Sequence, residues 1–68
     1  MEAQKIYHIE VKGVITKTLY EWFEDVELTE HHGNTILTSI VPDQSYLYGL
    51  IGRIRDLGLT LISIHISK

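Results

Sequence analysis

Length, composition and charge restrict this sequence to one small folded domain. Its 68 residues suffice for a single domain, and the 44% hydrophobic and 22% charged content is typical of globular proteins and argues against disorder. The net charge of −3 gives no attraction to nucleic-acid phosphates or anionic lipid, and the absence of cysteine excludes disulfides and thiolate metal sites. A chain this short buries only about 60% of its unfolded surface, so self-association is the main remaining source of burial.

The sequence predicts no targeting or membrane segment. Residues 1–5 lack the basic and apolar regions of a signal peptide. The most apolar stretch, residues 57–66, contains glycine, threonine, serine and histidine and is too short to cross a bilayer. We therefore expect a cytoplasmic protein that does not bind membranes.

The first predicted strand covers residues 5–12, where apolar and polar side chains alternate. One face carries Tyr7, Ile9 and Val11, and the other carries Ile6, His8, Glu10 and Lys12. Gly13 ends this strand.

A short helix is predicted next, over residues 16–25. Thr18 and Glu21 have the spacing of a capping box, with Thr16 as the other candidate cap. The buried stripe would consist of Leu19, Trp22, Phe23 and Val26.

Residues 26–32 and 35–41 alternate again and predict a hairpin, with Gly33-Asn34 as its turn. Leu37 and Val41 are expected to point inward. The outward positions of the second hairpin strand are Ile36, Thr38 and Ile40.

Pro42 ends the hairpin, and Asp43 is a candidate N-cap for a second helix. Its apolar stripe comprises Leu47, Leu50, Ile51, Ile54 and Leu57. Gly58 is expected as the C′ residue, and Leu59 supplies the apolar contact beyond it. Gly49 and Gly52 weaken a helix, unless they allow close approach to the sheet or to a partner. The last strand covers residues 60–66, with Ile62, Ile64 and Ile66 on one side and Leu61, Ser63 and His65 on the other.

The element order β-α-β-β-α-β predicts an α+β, ferredoxin-like (split βαβ) domain spanning residues 1–68. Its four-stranded antiparallel sheet would have the first and third strands at the centre and two helices on one face. The opposite face is left open, and its partly apolar character predicts an interaction surface for a homodimer or another protein. The predicted interaction face comprises Ile6, His8, Glu10, Ile36, Thr38, Ile40, Leu61, Ser63 and His65.

No set of residues has the pattern of a catalytic or metal centre, so we expect no cofactor and no enzyme activity. His8 and His65 lie on neighbouring predicted strands, with Glu10 nearby, and could bind a divalent metal; interface or surface histidines are the simpler interpretation. Adjacent histidines on a strand point to opposite faces, so the pair at 31–32 is expected in a solvated hairpin end. The acidic residues at 21, 24, 25 and 27 indicate a solvated helix face.

Val11-Lys12-Gly13-Val14 loosely resembles the first loop of acylphosphatases, which bind phosphate there. The arginine that this family places shortly after the second valine is missing, and Lys17 does not replace its bidentate clamp. An acylphosphatase-like enzyme is therefore a remote alternative. RNA binding of the ribonucleoprotein type requires stacking aromatics on the central strands, and the third strand has none.

The runs T-x-L-x-S-x-V-x-D-Q-x-x-L-x-G, from Thr35, and I-R-D-L-G-L-x-L, from Ile54, resemble a family of short uncharacterised bacterial proteins of this length. Members often have glycine at the Ser39 position, and the resemblance implies no established activity. A non-catalytic interaction or regulatory module that self-associates is the preferred hypothesis. The alternative is a small-ligand sensor resembling an ACT domain, because that family also places a glycine after its first strand, as Gly13 is here.

Overall fold

The described part of the chain forms a four-stranded antiparallel sheet and one helix. The computed structural model describes residues 4–15, 21, 23 and 26–67. In chain order the elements are β1 (Lys5–Val11), β2 (Glu27–His31), β3 (Asn34–Val41), α1 (Gln44–Asp56) and β4 (Leu61–Ser67). The α+β class and the antiparallel sheet are as predicted.

The strands lie side by side in the order β2-β3-β1-β4. β1 and β3 are the two central strands, and each neighbouring pair is antiparallel. The first helix, predicted over residues 16–25, lies outside the described residues except at Glu21 and Phe23. Glu21 is in a turn and Phe23 is buried.

The core lies between α1 and one face of the sheet. Ile9, Val11 and Leu37 are fully buried, which confirms the inward sides predicted for β1 and β3. Leu50 and Ile54, one helical turn apart, bring the apolar stripe of α1 onto this face. The buried cluster consists of Ile9, Val11, Phe23, Val26, Leu37, Leu50 and Ile54.

Both ends of α1 are capped as the sequence predicts. Asp43 Oδ1 accepts a hydrogen bond from the Tyr46 N–H at 2.8 Å. At the other end Gly58 has φ +76°, its N–H donates to the Arg55 carbonyl, and the Leu59 N–H donates to the Ile54 carbonyl. This is a Schellman motif, in which only glycine takes the left-handed position without a steric cost.

The hairpin turn is displaced by one residue from the predicted Gly33-Asn34. His31 pairs with Asn34, and the two residues between them, His32 and Gly33, have φ of 50° and 80°. Two positive φ values in a two-residue loop are the signature of a type I′ turn. The prediction was wrong about Asn34 because this residue begins β3 and its side chain binds elsewhere.

β4 departs from its predicted regular alternation. The register between β1 and β4 shifts between Glu10 and Val11, so Leu61 lies opposite Val11, which is on the helix-covered face. The alternation that would place Leu61 with Ser63 and His65 does not continue across this irregularity. The isoleucines of β4 lie on this helix-covered side as well, where Ile64 opposes Ile9 and Ile66 opposes Tyr7, yet they remain substantially exposed: Ile62 at 48%, Ile64 at 36% and Ile66 at 50%.

Candidate functional site

The sheet face opposite α1 is the candidate functional surface. The pairing registers place its side chains in rows that cross the strands, because directly opposed residues of antiparallel strands share a face. We call this surface the open face; it comprises Ile6, His8 and Glu10 of β1, Glu27 and Thr29 of β2, Ile36, Thr38 and Ile40 of β3, and Ser63 and His65 of β4.

One row of the open face is polar and contains two histidines. His65 lies opposite His8, His8 opposite Thr38, and Thr38 opposite Glu27. His8 Nδ1 and Thr38 Oγ1 are 3.0 Å apart and share a hydrogen bond. The structure therefore places the two histidines next to each other, on the surface where the sequence located them.

The adjacent row joins Ser67, Ile6 and Ile40, and its two positions on the central strands are apolar. Ile6 and Ile40 are directly opposed on the two central strands, with 42% and 59% of their surface exposed. No described helix covers them, because α1 packs on the other face. An apolar pair at the centre of an uncovered sheet differs from the mostly polar face expected of a sheet in water.

A third row joins Ser63, Glu10, Ile36 and Thr29. Glu10 Oε2 accepts a hydrogen bond from Asn34 Nδ2 at 3.0 Å. Within the described residues, no three histidine, aspartate or glutamate side chains are grouped so that they could hold a metal ion.

The loop after β1 is fastened to the start of β3 by two side chains. The Gly13 N–H donates to Asn34 Oδ1 at 3.1 Å, so Asn34 links this loop to Glu10. Thr35 Oγ1 donates to the Gly13 carbonyl at 2.8 Å and accepts from the Ile15 N–H at 3.1 Å. Thr35 is 4% exposed, so these bonds lie inside the structure.

This network also occupies backbone N–H groups of the loop. The Lys12 N–H donates to the Thr60 carbonyl, and the N–H groups of Gly13 and Ile15 donate to Asn34 and Thr35. A phosphate or carboxylate bound in this loop would need free N–H groups of this kind. All three are already engaged within the chain.

Sequence reasoning missed Asn34 and Thr35. The inward alternation of β3 includes position 35 as well as Leu37, and an inward threonine hydroxyl requires a partner. That requirement was a signal for a contact with a neighbouring loop, although it could not identify Gly13.

The two adjacent histidines differ from the prediction that they point apart. Their ring centroids are 4.2 Å apart with an interplanar angle of 75°. The alternation rule does not apply because His32 is a turn residue with φ 50° rather than a strand residue. Both side chains are exposed, as expected for a hairpin end.

The helix carries two open depressions near its glycines. The smaller, of about 180 Å³, is lined by Val26, Tyr46, Gly49, Leu50 and Arg53. The larger, of about 390 Å³, is lined by Gly49, Gly52, Arg53, Asp56 and Leu57. Among the described atoms, none lies within 4 Å of a Cβ built on Gly49, so this glycine does not serve close packing of the helix on the sheet.

Comparison with known proteins gives a family but no activity. A family model described as a domain of unknown function (DUF8691) matches residues 6–65. No curated protein and no solved structure matches the chain. Among the described helical residues, no segment has the length and apolar character needed to cross a membrane.

Proposed function

The chain belongs to the DUF8691 family, and we propose from its own surfaces that it is a non-catalytic protein-interaction module that self-associates. The expectation that it is a member of an uncharacterised family is confirmed. The open face is the contact surface in this proposal. A second copy is the first partner considered, and another protein is the alternative partner.

The observation that carries the proposal is the exposed apolar pair Ile6 and Ile40. They are directly opposed on the two central strands, so their side chains are neighbours on one face and a partner that covers one also reaches the other. Half-buried Ile36 lies on the same face, beyond the polar row that contains Thr38. Burying such a patch is favourable by about 25 cal/mol for each Å² of apolar surface, and a small chain has few other ways to add burial.

The fold proposed for this module is ferredoxin-like. The strand order β2-β3-β1-β4 supports it, because β1 and β3 are central and α1 connects β3 to the far edge. β1 and β2 are likewise separated by β3 in the sheet, and the sequence predicts a helix between them in the chain. In a split βαβ arrangement both helices lie on one face, which leaves the other face free for a partner.

The alternative function, a small-ligand sensor resembling an ACT domain, has one observation in its favour. Gly13 follows β1 with φ +86°, as expected of a glycine-dependent loop. The engaged N–H groups of this loop weigh against a ligand there. A thermal-shift screen of amino acids and nucleotides would favour the sensor if any of them raised the melting temperature in a saturable manner.

Sedimentation equilibrium tests the interaction module. The unmodified chain should associate as its concentration rises, and Ile40→Lys should weaken this association. Ile40 has more than half of its surface available for burial, worth about 1 kcal/mol in each copy, so a symmetric contact should weaken at least about tenfold. Tyr48→Lys is the matched control, because Tyr48 is 65% exposed on the helix, away from the open face.

Two results of this experiment would count against the proposal. Equal association of the two lysine variants would place the contact away from the open face. A chain that stays monomeric at all concentrations would contradict self-association and leave only binding to a different protein.

A further inference from the structure

The two edges of the sheet differ in length and charge. Among the described residues, β2 and β4 each pair with a strand on one side only. β2 has five residues, including exposed Glu27 and Glu30, whereas β4 has seven residues and no acidic or basic residue other than His65. Charged residues and short length protect an edge from pairing with another chain, and β4 lacks both.

The sequence of β4 is almost symmetric about its central residue, Ile64. Ile62 and Ile66 lie at equal distances on either side, and Ser63 and His65 occupy the polar positions between them. A strand with this symmetry presents the same pattern when it is read in either direction. It is therefore matched to an antiparallel copy of itself.

We propose that β4 pairs edge to edge with β4 of a second copy, antiparallel, across a two-fold axis at Ile64. The axis stands perpendicular to the sheet, so each face of one copy continues into the same face of the other. The axis must pass midway between a residue and its own copy in the partner. A register shifted by one residue would instead pair side chains that belong to opposite faces of the sheet. Ile64 is the centre that pairs residues 62–66, the stretch that follows the irregularity at Leu61.

This register has favourable side-chain contacts on both faces. On the helix side, Ile62 lies beside the partner's Ile66 and Ile64 beside the partner's Ile64, so six exposed isoleucines form three neighbouring pairs. On the open face, Ser63 lies beside the partner's His65. If two copies paired through β2 instead, Glu27 and Glu30 of both copies would place four glutamates along the contact. Repulsion between their like charges opposes that pairing.

The edge contact shares one assumption with the proposed function, which is that the chain self-associates. It lies on β4, whereas the proposed open-face contact is centred on Ile6 and Ile40, with β1 separating Ile40 from the edge. The two contacts are compatible, because edge pairing leaves the open faces of both copies uncovered and coplanar.

Cysteine cross-linking tests the register, and the cysteine-free sequence gives a clean background. Ile64→Cys should form a disulfide-linked dimer on mild oxidation, because directly opposed residues have Cα atoms about 4.5–5.5 Å apart. Ile62→Cys alone and Ile66→Cys alone should remain unlinked, since the two copies of either residue lie four positions apart, about 13 Å. An equimolar mixture of these two variants should link, because residue 62 opposes residue 66.

The same cross-linking in the Ile40→Lys background separates this inference from the proposed function. Persistence of the pattern there supports the edge contact whether or not the open face associates. Self-linking of Ile62→Cys, or a failure of the mixed pair to link while the chain sediments as a dimer, would overturn the register and leave the proposed function standing. A strictly monomeric chain would overturn both.

Amide hydrogen exchange provides a second test, and it uses the unmodified chain, so it does not depend on whether a cysteine variant folds. The β4 amides that point away from β1 should exchange more slowly as concentration rises through the association range, and the β2 edge amides should not. Exchange of β4 that is independent of concentration in that range would refute the edge contact.

Discussion

Replacing Thr35 by valine removes the hydroxyl that holds the first loop and keeps nearly the same shape. Thr35 Oγ1 donates to the Gly13 carbonyl and accepts from the Ile15 N–H, and the residue is 4% exposed, so water cannot replace either bond. Losing two such bonds costs about 2 kcal/mol or more. A domain of this length has a total stability of roughly 3–10 kcal/mol, so the loss is a large fraction.

Thr35→Ser is the informative comparison. It keeps both hydrogen bonds and deletes one methyl group, which costs about 1 kcal/mol. Stability should therefore fall in the order threonine, serine, valine, although valine is the better strand former. Thr29→Val, on exposed β2, is the matched control and should change stability by less than about 0.5 kcal/mol.

Urea unfolding followed by circular dichroism measures these differences, and the slope should be the same for all variants. Thr35→Val should also lower the melting temperature by about 8–16 °C. Hydrogen exchange of the Ile15 amide should accelerate in Thr35→Val and remain slow in Thr35→Ser. Equal stability of the serine and valine variants, with unchanged Ile15 exchange, would refute the reasoning.

Three further changes in stability follow from the backbone and are measurable by the same urea titrations. His32→Asn should stabilise the chain by about 0.5–1 kcal/mol, because Asn-Gly is the preferred pair of a type I′ turn; a destabilised variant would mean that the contact with the His31 ring outweighs the strain. Gly58→Ala should cost about 1–2 kcal/mol because φ is +76°, and a neutral result would contradict the left-handed cap. Gly49→Ala should stabilise α1 by up to about 1 kcal/mol, since no described atom obstructs the new methyl; a loss in the monomer would reveal a contact there.

Periodicity was enough to predict which side of each central strand faces the core. In β1, Ile9 is buried whereas Ile6 is exposed, as the alternation requires. The caps of α1 were equally predictable, because Asp43 and Gly58 act on backbone groups within a few residues of themselves. Local patterns of this kind depend on neighbouring residues only, and the sequence contains all of them.

The contacts between distant segments were not predictable in the same way. The network of Gly13, Asn34 and Thr35 depends on how the end of β1 meets the start of β3, and no periodicity encodes that meeting. The register shift opposite Val11 is also a property of two strands together, so the alternation of β4 alone placed Leu61 on the open face. The placement of His8 and His65 on neighbouring strands and one face was predicted, because it depends only on strand order and alternation, whereas their direct opposition depends on the register and was not predicted.

The position of β1 between β3 and β4 has a consequence for the order in which the sheet forms. The hairpin residues His31 and Asn34 are three positions apart, whereas the paired residues Ile6 and Ser67 are roughly sixty apart. Closing the longer loop costs about 2.5 kcal/mol more in chain entropy. We therefore expect the β2–β3 hairpin to form early and β4 to dock last. During refolding, the amides that pair β1 with β4 should therefore become protected from hydrogen exchange later than those of the hairpin. The rate of this later step should depend on loop closure rather than on local propensity.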